Sequence, residues 1–141
     1  MIGTSEEPSE DAQERYALRV TRWARNEADQ AQLAVYALSG ARASLEWEEG
    51  LWEYVDTLRT APYRAVARES EQFPFEVRQL LYRRPRSSHT HRVLFTILEA
   101  SPSGALVVVI HIRHASRDDI SRIEARIIAQ QPDLQEIIAG E

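Results

Sequence analysis

The chain has no cysteine among its 141 residues. That excludes a disulfide framework and any thiolate metal site, and makes a reducing, cytoplasmic compartment the expectation. Lysine is missing too, so all 17 basic residues are arginine. Arginine suits bidentate recognition of phosphate or carboxylate better than lysine does, but we draw no function from a chain-wide absence. No apolar run approaches the roughly 18 residues of a membrane span, and residues 1–14 lack the basic-then-apolar order of a signal peptide. No membrane partner is therefore expected. Glycine-rich phosphate loops and internal repeats are absent as well, and no cofactor is expected.

What remains is ordinary in amount and uneven in placement. A chain that is 43% apolar and 28% charged fits one globular domain with a single core. The net charge of −5 hides three blocks. Residues 1–14 carry five acids and no base and read as a disordered acidic tail. Residues 15–117 balance to +4, and residues 118–141 to −4. Between Arg78 and Arg117 seven arginines face the single acid Glu99, and all four histidines lie in that window. Such segregation fits a working surface for an anionic partner, or equally a set of solvated arginines on strand edges.

The periodicities give an α+β order. Tyr16, Leu18 and Val20 alternate with polar residues as in a half-buried strand. Asn26, with Asp29 three residues on, is a candidate N-cap. Ala28, Ala31, Val35 and Leu38 follow at helical spacing until Ser39-Gly40. A second helix carries Trp47, Leu51, Tyr54, Val55 and Leu58 on one face and ends before Pro62. Val77–Tyr82, Arg92–Leu98 and Leu106–Arg113 are strand-like. Ser101-Pro102-Ser103-Gly104 joins the last two as an antiparallel hairpin whose strands, apolar on both faces, belong at the sheet centre. Beyond Arg117, Ile120, Ile123, Ile127 and Ile128 form one stripe on a helical extension, which Pro132 interrupts before Leu134, Ile137 and Ile138. That stripe needs a partner, either the domain itself or a second copy in a homodimer.

Two segments resemble the RelE/ParE toxins. One is Glu76-Val77-Arg78-Gln79-Leu80-Leu81-Tyr82 followed by His91-Arg92-Val93-Leu94-Phe95-Thr96-Ile97. The other is Val109-Ile110-His111-Ile112-Arg113-His114-Ala115-Ser116-Arg117. The likeness covers roughly 15–117. The chain departs from the family in having Arg83-Arg84-Pro85-Arg86 after Tyr82, where a glycine is common, and His91 in place of a tyrosine.

The resemblance implies an N-terminal strand, a helical hairpin and a three-stranded antiparallel meander, here with a C-terminal extension. It also implies a type II toxin restrained by a cognate antitoxin. The target would be DNA gyrase, bound without catalysis; the alternatives are mRNA cleaved on the ribosome, or a degenerate homologue that binds only antitoxin. Target contact would fall to Arg78, Arg83, Arg92, His111, Arg113, His114 and Arg117. An RNase would use Glu69 as base, Arg78 and Arg113 to steady charge, and His114 as acid or base. Against both stands internal pairing of Arg92 or Arg113 with Glu69 or Glu99. No metal is expected, because His111 and His114 would meet one ion only on a helix. The three tryptophans read as core or interface aromatics.

Overall fold

A computed structural model describes residues 16–68, 70–85, 87, 89–101 and 104–140. It is an α+β fold around a five-stranded sheet ordered β1-β5-β4-β3-β2, with β1 (Ala17–Val20) parallel to β5 (Gly104–His114) and the other pairs antiparallel. The expected meander is β3 (Arg78–Arg83), β4 (Thr90–Ser101) and β5, and β2 (Val66–Ala67) is an added two-residue edge.

Helix α1 spans Arg22–Asp56 but breaks at Gly40, whose φ of 94° is accessible to glycine at little cost. The amide of Gln32 reaches Ser44 and Glu48, contacts a straight helix cannot make, so the two arms fold back as the hairpin expected from Ser39-Gly40. The start lies earlier than Asn26: Thr21 is the N-cap, accepting a hydrogen bond from the Ala24 N–H. Leu38, expected on the apolar face, is 68% exposed because it sits at the tip of the hairpin beyond the sheet.

The sheet is buried on both faces. On the first, Leu80, Tyr82, Val93, Phe95, Val107, Val109 and Ile112 meet Ala24, Ala28, Val35, Trp47, Leu51, Val55 and Leu58 of the hairpin and its exit. On the second, Val77, Leu94, Leu106, Val108 and Ile110 meet the C-terminal segment through Ile120, Ala125, Ile128, Ala129, Leu134 and Ile137. Two-sided burial is why β4 and β5 are apolar without alternation.

The C-terminal segment folds as α2 (Arg122–Ala129, capped by Ser121) and α3 (Pro132–Ala139). Its buried stripe differs from the one expected. Ile123 and Ile127 are 70% and 45% exposed, and Ile120 lies ahead of the helix. The Ser121 cap fixes where the helix begins, and the small side chains of Ala125 and Ala129 let it lie close to the sheet beside Ile128.

Candidate functional site

A β-bulge shapes the end of β5. Leu94 pairs with His111 but Phe95 pairs with Val109, so Ile110 is the extra residue. Strand β1 stops opposite Val109, leaving the flank of β5 beyond it without a neighbouring strand. Glu27, on the first arm of α1, covers that flank by accepting the Ile112 N–H at 2.9 Å. Its other oxygen lies 2.8 Å from Nδ1 of the fully buried His111, though not aligned for a linear hydrogen bond. His111 is thus a structural contact and offers nothing to a partner at the surface.

The arginines divide by face. Arg92 and Arg113 are cross-strand partners, both about 4% exposed, and lie under the C-terminal segment. Arg92 donates to the carbonyls of Arg117 and Asp118 and meets Asp119 at 3.4 Å. Arg113 meets Glu124 at 3.4 Å and the Nε2 of His111 at 3.4 Å. Both pair internally, with Asp119 and Glu124 of the extension among their partners. Glu99 accepts the hydroxyls of Tyr16 and Tyr63, and Glu69 lies outside the described residues. Arg78 faces the opposite side, at the other end of β3, where it donates to the Ala65 carbonyl, pairs with Glu76 and lies over the Tyr63 ring.

Three of the expected residues gather at one end of the sheet. Arg83 pairs with Thr90, and His91 with His114, so the ends of β3 and β5 and the start of β4 coincide. Arg83 and Arg117 are exposed there and His114 is half-buried. The His114 Nδ1 accepts the Ser116 N–H at 3.1 Å, and the Ser116 hydroxyl lies 2.7 Å away. Its ring stands edge-on to those of His91 and His89. His91 also packs on Trp47, and burial, then the neighbouring His114 and His89, push its pKa down to about 4. It is neutral at physiological pH. Among the described residues, no group of three or more histidines, aspartates or glutamates is placed to hold a metal ion. No helix among them is long and apolar enough to cross a membrane.

Between this end of the sheet and the first arm of α1 opens a cleft of about 520 Å³. Trp23, Asn26, Glu27, Gln30, Ala31 and Ala34 form one wall, and His91, Ile112, Arg113, His114 and Arg117 the other. A larger hollow on the second arm is mostly acidic, lined by Glu46, Glu48, Glu49, Glu53 and Asp56 with Arg42 among others, and its Glu46 pairs with Arg84 at 3.0 Å. Sequence reasoning missed Trp23, Gln30 and His91 as lining residues. Trp23, Glu27, Gln30 and Ala34 recur at helical spacing, a signal hidden by starting the helix at Asn26.

This architecture is the RelE/ParE toxin-like fold. The structure resembles a chain of the chromosomal ParDE TA system from P. aeruginosa, with a TM-score of 0.53 and 22% identity, covering 72% of this chain and 97% of that one. No protein-family model matches the sequence, and no curated protein matches it.

Proposed function

We propose that the chain is the toxin of a type II toxin–antitoxin pair, held by a cognate antitoxin and acting by binding DNA gyrase. The observation that carries this reading is the fold, shared with a chain of the ParDE TA system from P. aeruginosa. The distribution of the polar residues supports binding over catalysis. An RNase needs a base, an acid and charge-steadying groups around one phosphate. Here Arg78 is on one face of the sheet and Arg113 is buried on the other, while one ring nitrogen of His114 is occupied by Ser116. Arg83, Arg117 and His114 remain as a basic, solvent-facing end of the sheet for an acidic protein surface.

Expression of residues 1–141 is expected to arrest growth, with relief on co-expression of the antitoxin. Purified protein is expected to inhibit supercoiling by gyrase. Cleavage of mRNA within codons on translating ribosomes, abolished by His114→Ala, would instead establish the RNase reading. Unimpaired growth with abundant folded protein would leave a homologue that binds antitoxin alone.

A further inference from the structure

The tip of the α1 hairpin is exposed and uncharged at once. Residues 30–41 carry no acid and no base, yet most of them face solvent. Leu33 and Tyr36 are three residues apart and share one face of the first arm. The reach of Gln32 to Ser44 and Glu48 sets Leu45 of the second arm beside Leu33. Each of the three is more than half exposed. The buried residues of the same stretch, Val35, Ser44 and Trp47, point the other way, so the three form a patch on the outer side of the hairpin. A contiguous apolar patch marks a contact surface, whereas single exposed apolar residues need no explanation.

We propose that this outer face of the hairpin tip docks a second copy of the chain about a two-fold axis. A two-fold contact sets a patch against itself, so the patch must be compatible with its own charge. Other exposed apolar residues fail that condition. Ile123 and Ile127 stand beside Arg122 and Arg126, and Leu81 shares its strand face with Arg83, so a two-fold contact there brings arginine against arginine. At the tip no such repulsion arises. The uncharged run is bounded by one acid, Asp29, and one base, Arg42, and two runs packed antiparallel set each against its opposite. Arg42 is free to turn toward that partner, since its side chain is 92% exposed and its contact with Glu46 is long, at 3.5 Å. Exposed Ala37 and Ala41 beside the patch let two helices approach closely. A patch of this size falls short of the roughly 20–30 residues a side of a stable interface, so the dimer forms in the micromolar range. It needs neither gyrase nor antitoxin.

The test is sedimentation of the full chain across a range of concentrations. Monomer is expected to give way to dimer and to no larger species, because a two-fold contact closes on itself. Tyr36→Glu, which sets a carboxylate against its own copy, is expected to raise the dissociation constant at least about tenfold. Its melting temperature should stay unchanged, because the side chain is exposed. Ile123→Glu should leave dimerisation as it was. The chain has no cysteine, so Ala37→Cys introduces a single thiol, and a short bismaleimide is expected to link two copies through it, less so when Tyr36→Glu is added. Protein that stays monomeric at millimolar concentration overturns the proposal and leaves the patch to an unlike chain. A dimer lost with Ile123→Glu but kept with Tyr36→Glu also overturns it, by moving the interface to α2.

Discussion

The two faces of the sheet are covered by different means. The first is covered by a hairpin that follows β1 directly and meets the sheet almost entirely through apolar side chains. The second is covered by the last part of the chain, and its cover is partly ionic: Asp119 and Glu124 lie against Arg92, Arg113 and Arg117. Nearly all of the ParDE chain is matched, yet more than a quarter of this one has no counterpart there. The residues expected to meet a target are therefore not equivalent. Position on the second face turns Arg92 and Arg113 into fasteners for the extension, while Arg83 and Arg117, at the sheet's end, remain open to solvent.

Removing the cover breaks the comparison most severely. Truncation after Arg117 uncovers a face built of Val77, Leu94, Leu106, Val108 and Ile110. Burial of Ile120, Ile128, Leu134 and Ile137 contributes roughly 1.5–3 kcal/mol each, together comparable with the roughly 5–15 kcal/mol that holds a typical domain folded. The truncated chain is expected to aggregate or lose its cooperative unfolding transition, as read by circular dichroism and gel filtration. A truncated monomer with an unchanged melting temperature would mean that the extension is passive.

Next comes Arg113→Ala, expected to cost about 1.5–3 kcal/mol in a denaturant titration, because it removes a charged hydrogen-bonding group buried under the extension and leaves Glu124 only its longer contact to Arg117. Gly50→Ala tests the hairpin side with a smaller loss. A Cβ at Gly50 would lie 2.5 Å from the Tyr82 hydroxyl, which donates to the Trp47 carbonyl at 2.9 Å. Alanine gains about 1 kcal/mol of helix propensity. Overpacking against a buried ring costs about 1–3 kcal/mol, and the displaced hydrogen bond about 1 kcal/mol more, so net destabilisation is expected. A gain in stability would show that the tyrosine shifts freely.

His91 gives an effect confined to acid. Its pKa is depressed to about 4 against an ordinary value near 6.5, first by burial, then by His114 and His89. The unfolded chain thus binds the proton more readily. The stability tied to neutral His91 is complete above about pH 6.5 and is lost as pH falls toward 4. The stability difference between the natural protein and His91→Phe should shift by on the order of 2 kcal/mol across that window. A pH-independent difference would place the ring in contact with water.

Much of the fold was legible because its signals are local. The alternation at Tyr16–Val20, the break at Gly40 and the positive-φ glycine Gly104 that opens β5 each act within a few residues. The apolar runs of β4 and β5 announced two-sided burial. The partners of the arginines were not legible. Arg92 and Arg113 look alike on paper to Arg83, and only the register that sets Arg92 opposite Arg113, under a segment from the chain's end, separates them. The cleft was hidden for a similar reason. Its walls come from α1 and from β4 and β5, elements far apart in the sequence.

The smallest effect on stability is expected at the open end, and it bears most directly on function. Arg83 is exposed, and Arg117 makes one contact of 3.6 Å to Glu124 with more than half of its side chain in solvent. Ion pairs of that kind contribute about 0–1 kcal/mol. Arg83→Ala and Arg117→Ala are therefore each expected to change unfolding free energy by less than about 0.5 kcal/mol. If this end of the sheet meets an acidic surface of gyrase, the same substitutions will slow association and weaken inhibition of supercoiling, increasingly so at low salt, where exposed charges act furthest. The double variant should be folded, bind gyrase poorly and no longer arrest growth. Arg113→Ala can lose activity too, but only in step with its loss of folded protein. A double variant that keeps full inhibition at every salt concentration would move the contact surface away from this end of the sheet, leaving the acidic hairpin as the place to look.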